Sequence, residues 1–134
     1  MRAHALMNFG LPAAAIASMA VLPPAHALDV DRVLGRWSGM EYDDCGHADD
    51  SEGAPLKIWR EGDETLIGNY GWLCAVKQWS RDGGLLVGSA KDCGSEGDDD
   101  TFDQDFRIGL NDKDQLVLIE GAMTGTLRRC PAAQ

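Results

Sequence analysis

The sequence predicts an all-β protein: an antiparallel up-and-down barrel of about eight short strands, stapled by disulfides and led by a short helical turn. Three observations carry this. Short apolar or alternating runs recur at close spacing, separated by Gly-, Asn- and Asp-containing turns. No segment beyond residue 27 has the apolar spacing of a long helix. The stretch Trp72 to Cys93, with a cysteine near each outer end, reads as a central β-hairpin. An eight-strand meander can pair its first and last strands, and closure removes the exposed edges that invite aggregation.

Residues 1–27 are expected to be a cleaved leader. Arg2 is their only charged residue, an Ala/Leu/Met/Ile/Val-rich run reaches Leu22, and Pro23-Pro24 precedes Ala25-His26-Ala27. That is a basic start, an apolar middle and an A-x-A cleavage signal. The run is short and weakly apolar for a membrane anchor, so export to a periplasmic or extracellular space is expected. Residues 28–134 then form one domain with one core. The net charge of the whole chain is −10, and losing Arg2 makes the remainder more acidic still. Such a surface disfavours nucleic acid and anionic lipid, and a monomer is expected.

Leu28–Val33 can make one helical turn capped by Asp29. Gly35-Arg36-Trp37-Ser38-Gly39 opens a strand reaching Tyr42, followed by an acidic loop from Asp43 to Gly53. Leu56–Arg60 and Thr65–Tyr70 are strands joined by Glu61-Gly62-Asp63. In the central hairpin, Trp72–Trp79 and Leu85–Ala90 flank Gly83-Gly84, where both glycines can take positive φ. A two-residue turn there pairs Asp82 with Leu85 and, counting outward, brings Cys74 opposite Cys93. The parity puts that pair at a hydrogen-bonded position, where Cβ atoms are less close, which leaves room for a bulge or a longer turn. A second acidic loop, Gly94–Thr101, precedes the cleanest alternation in the chain. Phe102, Gln104, Phe106, Ile108 and Leu110 share one face, and Asp103, Asp105 and Arg107 the other. Gln115–Glu120 and Met123–Arg129 are the last strands, joined at Gly121.

All four cysteines, Cys45, Cys74, Cys93 and Cys130, lie in the exported part, and no C-x-x-C is present. Two disulfides are therefore expected rather than metal or redox chemistry. Of the three pairings, the hairpin register favours Cys74–Cys93 with Cys45–Cys130.

The candidate binding residues are Trp72, Trp79, His47, Asp49 and Asp99. Trp72 and Trp79 differ by an odd number, so in an unbulged strand they face opposite sides and at least one lies outside the core. An exposed Trp is a favoured interface anchor. His47 with Asp49 or Asp50 could hold a metal, although a solvated loop is the default and zinc prefers more N or S ligands. Glu96 and Asp98–Asp100, with Asp103 and Asp105 after them, could gather calcium oxygens, but their order does not match an EF-hand and a solvated acidic loop is the default. No metal and no cofactor are expected. The absence of G-x-S-x-G, H-E-x-x-H and a phosphate-binding glycine loop argues against an enzyme.

The motif Gly35-x-Trp37 after a helical turn resembles the opening of lipocalin-like (calycin) barrels. The resemblance implies a Trp at the closed end beneath an Arg of the last strand, here Arg128 or Arg129. Within that superfamily the chain is similar to the small periplasmic inhibitors of bacterial metalloproteases. Carried by an export leader, chain length, G-x-W and the places of Cys45 and Cys74, that likeness implies Cys45–Cys74 as an alternative pairing, with Cys93–Cys130 as the second bridge. It also implies an exported protease as partner. The functional expectation is thus a non-enzymatic protein-binding or protease-inhibitor-like module, using the loops Asp43–Gly53 and Gly94–Thr101. The alternative is a carrier of a small apolar ligand in the barrel mouth. Large inward residues (Trp37, Phe102, Phe106, Leu116, Leu118) should fill so short a barrel and count against the carrier.

Overall fold

A computed structural model describes residues 29–41, 43–120 and 123–132. The leader, the strand end at Tyr42 and the connection at Gly121 lie outside them. A 3-10 turn over Val30–Arg32 is capped by Asp29, whose side chain accepts from the Asp31 amide. Eight strands follow among the described residues: β1 (Gly35–Gly39), β2 (Leu56–Glu61), β3 (Glu64–Gly68), β4 (Trp72–Asp82), β5 (Leu85–Ser95), β6 (Thr101–Leu110), β7 (Leu116–Glu120) and β8 (Met123–Arg129). Each pairs antiparallel with its sequence neighbour, and β1 pairs β8, closing the barrel in simple up-and-down order.

One end is shut. The 3-10 turn packs there, and Val33 and Trp37 are fully buried. Trp37 Nε1 donates to the Val33 carbonyl at 2.9 Å. The Arg129 guanidinium lies 4.2 Å from the Trp37 ring centroid, and its Nη1 and Nη2 donate to the carbonyls of Leu34 and Arg32. The cation covers the indole face while its own donors are satisfied. Of the two arginines the sequence offered, Arg129 takes this place.

Both expected bridges are present. Cys45–Cys130 joins the first loop to the end of β8, and Cys74–Cys93 joins β4 to β5; the pairing implied by the inhibitor resemblance does not form. The hairpin is longer than its apolar runs suggested, because polar residues continue both arms. Its turn is the two-residue one, with only Gly83 of the pair in the left-handed region, as a type II′ turn requires.

The central strands depart from simple alternation. Trp72 pairs with Ser95, Val76 with Ala90 and Trp79 with Gly88. Reading along these pairs, β5 has one extra residue between Ala90 and Cys93, and β4 has one between Val76 and Trp79. The β5–β6 ladder shifts at the same place in β5, where Asp92 takes φ 60°. These are two compensating bulges. They return the register to its starting value but invert the parity between them. Cys74, Val76, Ala90 and Cys93 are all buried in the core, and Trp72 and Trp79 both pack against it. The expectation that the two tryptophans face opposite sides fails for this reason. The Cα atoms of Cys74 and Cys93 are 4.4 Å apart, close to the spacing of non-hydrogen-bonded pairs. Gly88 is required where Trp79 folds inward. A Cβ there would lie 2.7 Å from Val76 Cγ1 and 2.8 Å from the Trp79 ring.

The interior is filled by Trp37, Ile58, Ile67, Val76, Leu86, Phe106, Ile108 and Leu116. Phe102, expected inside, is 37% exposed, and Leu118 is only partly buried against the core. The alternation in β6 is right, but the strand begins beyond the barrel wall, so its first residues rise above the core.

Candidate functional site

The end opposite Trp37 is open. It is formed by the C-terminal ends of β1, β3, β5 and β7, the N-terminal ends of β2, β4, β6 and β8, and the loops between them. The four large apolar side chains that are exposed among the described residues belong to this end: Met40 just after β1, Tyr70 between β3 and β4, Leu73 in β4 and Phe102 in β6. The same end holds a cavity of about 300 Å3 lined by Gly71, Trp72, Ser95, Phe102, Gln104 and Glu120.

Local structure fixes its walls. The Asn69 amide donates to the Trp72 carbonyl, the Gly71 amide to Asn69 Oδ1, and the Glu96 amide to the Gly71 carbonyl at 2.9 Å. Trp72 stacks on Phe106 with centroids 6.1 Å apart and planes 15° apart, an offset arrangement that favours aromatic pairs. Glu120 ends β7 on the inward parity of Leu116 and Leu118, and it pairs across the ladder with Phe106. Its Oε1 is shielded from solvent and has no hydrogen-bonding partner among the described residues. Burial raises the Glu120 pKa above the usual carboxylate value.

A raised native pKa weakens folding at high pH. The favourable contribution is fully present below the unfolded-state pKa and is lost as pH rises through the native one. Glu120→Gln is expected to remove that penalty, raising Tm by about 2–5 °C at pH 7 with little difference at pH 3.5. Thermal unfolding by circular dichroism at both values checks this. A lower Tm for the variant at pH 7 would mean that the carboxylate is stabilised in place.

The rim is acidic. The Glu96 carboxylate, by its charge and then by its hydrogen bond, raises the Tyr70 pKa; desolvation, Glu52 and Asp50 add to the effect. Asp99 sits in the exposed loop between β5 and β6, where the Asp100 amide donates to Asp98 Oδ1.

His47 and Asp49 are placed elsewhere. Their loop folds against the outer wall of β1, β2 and β8. Arg36 donates to Asp49 Oδ1 at 2.9 Å, to the Cys45 carbonyl and to the His47 carbonyl, and Lys57 Nζ lies 3.3 Å from Asp49. His47 Nδ1 is 2.8 Å from the Gly53 carbonyl, so that nitrogen is the donor. Arg128 pairs with Asp43 at 2.9 Å, and its hydrogen bond, followed by that of the Cys45 amide, holds Asp43 below the usual carboxylate range. These contacts hold the loop in shape, and no group of three or more His, Cys, Asp or Glu side chains gathers around His47 or elsewhere among the described residues. Trp79 lies toward the closed end, its Nε1 donating to Thr65 Oγ1 at 3.2 Å. A larger trough of about 850 Å3 follows the bent hairpin past Trp79, Lys77 and Lys91. Its lining is mostly exposed polar side chains of both charges.

Of the sequence candidates, Trp72 alone lines the mouth cavity. Glu120, Phe102 and Tyr70 were missed as site residues. The shared parity of Leu116, Leu118 and Glu120 was the available signal for the first. Comparison with protein-family models, with curated proteins and with solved structures finds no match to this chain.

Proposed function

We propose that this chain is an exported, non-enzymatic binding module that docks on a protein partner through the open end of its barrel. An exported protease is the first candidate partner. The observation that carries this reading is that the exposed apolar residues Met40, Tyr70, Leu73 and Phe102 all belong to strand ends and connections of the same end of the barrel. Exposed apolar groups concentrated beside polar loops mark interaction sites. The acidic loops around them favour a partner with a basic patch. The two disulfides fit an oxidising compartment, and the leader supports periplasmic or secreted placement. A lipocalin-like assignment belongs to the same proposal, supported by the Arg129–Trp37 stack at the closed end.

The test is titration of the mature protein against a panel of exported proteases by calorimetry. Micromolar or tighter binding to a basic-faced partner is expected, weakened at least tenfold by Met40→Ala/Tyr70→Ala and by raised salt. A complex indifferent to that double variant would place docking elsewhere on the surface. A second reading, a carrier of one small ligand, is favoured by the mouth cavity of about 300 Å3. A native mass spectrum of the protein from its own envelope separates the two, since added small-molecule mass belongs to the carrier alone.

A further inference from the structure

We infer that the mouth cavity seats one basic side chain of the docking partner, its alkyl stem against Trp72 and Phe102 and its cation on Glu120. The inference rests on the docking reading above and names the anchor it would use.

Three features of the cavity converge on this occupant. The first is size. About 300 Å3 is at the bottom of the range for ligand pockets, roughly 300–1,000 Å3. The barrel beneath is filled by Phe106 and its neighbours, so the occupant is a single side chain rather than a long apolar molecule reaching inward. The second is the lining. Trp72 is held by its stack on Phe106, and Phe102 rises at the rim, giving two aromatic surfaces for a methylene stem and for cation–π contact. The third is the carboxyl. Glu120 is on the inner face and its Oε1 has no hydrogen-bonding partner among the described residues, although a shielded polar atom without one is costly. A purely apolar ligand would leave that oxygen unpaired and bury it further. An anion would be repelled by it. An ammonium or guanidinium group supplies the missing donor and the opposite charge.

The surroundings point the same way. The connection between β5 and β6, at this end of the barrel, carries Glu96, Asp98, Asp99 and Asp100, and the chain as a whole carries −10. A mouth lined by one sign of charge focuses its field and draws in cations.

The experiment follows the Trp72 indole N–H by nitrogen-15 NMR during titration with Nα-acetyl-lysine N-methylamide. The norleucine analogue, which has the stem without the amine, is the control, and putrescine is a free-amine comparison. Saturable shifts at Trp72 are expected with the lysine compound in the millimolar range. Affinity should fall at least tenfold for norleucine and for Glu120→Gln, a variant expected to fold at least as stably as the parent. Equal binding of norleucine, or an undiminished response in Glu120→Gln, overturns the inference. Putrescine binding more tightly than the lysine compound also overturns it, because the seat would then belong to a free amine. If Glu120→Gln leaves a partner complex intact while Met40→Ala/Tyr70→Ala abolishes it, the lysine seat falls and the docking reading stands.

Discussion

Replacing Cys45 and Cys130 together by alanine is expected to cost about 4–5 kcal/mol of folding free energy. The bridge closes a sequence separation of 85 residues, and in the chain-entropy model the stabilisation grows with the logarithm of loop length. Single domains are stable by only about 5–15 kcal/mol, so the variant should be marginal at 25 °C. Urea denaturation followed by Trp fluorescence measures this, with the midpoint moving down by roughly 2–4 M. The bridge has non-covalent company. Arg36 and Arg128 bind the same loop, and the Cys130 amide donates to the Arg36 carbonyl at 2.8 Å. A measured loss below about 1 kcal/mol would mean that residual structure in the reduced, unfolded chain already limits its freedom nearly as well as the bridge does.

Trp37→Ala is expected to cost a similar amount, about 3–5 kcal/mol, by the cavity it leaves at the closed end. The side chain is wholly buried, and β1, only five residues long, pairs with both β2 and β8 at Trp37 itself. Loss of the residue therefore weakens the seam that closes the barrel. Trp37→Phe separates the causes, keeping a ring beneath Arg129 while removing the donor to the Val33 carbonyl. It is expected to cost about 1–3 kcal/mol. Equilibrium unfolding of the two variants tests the assignment. An alanine variant no worse than the phenylalanine one would show that the hydrogen bond, and not the packed ring, matters at this position.

Much of the fold was written in local pattern. The Gly83-Gly84 turn set the hairpin register, and that register predicted the Cys74–Cys93 bridge. The alternation from Phe102 to Leu110 identified β6. The inner faces of β4 and β5 were not legible, because a bulge has no compositional mark. Lys77-Gln78 and Lys91-Asp92 read as ordinary polar residues, yet each adds one residue to its strand. The candidate site was read less well because its chemistry is spread over β4, β6 and β7. Trp72 was singled out for exposure and serves instead as a wall. Glu120 looked like the polar end of the apolar run QLVLIE, although its parity with Leu116 and Leu118 puts it on the inner face. His47 and Asp49 attracted notice as ligand types, but Arg36 and the Gly53 carbonyl occupy their polar atoms.

The compensating bulges set a rule for how this hairpin can change length. Both extra residues lie between Cys74 and Cys93, inside the covalent ring. Deleting one residue from a single arm would turn either Cys93 or Trp79 to the solvent face, and the loss would not be absorbed by the turn. Deleting one from each arm would keep the two cysteines opposed while reversing the faces between the bulge and the turn. Insertions and deletions in this region are thus constrained as correlated pairs, and the bridge works as a gauge on strand length as well as a tether.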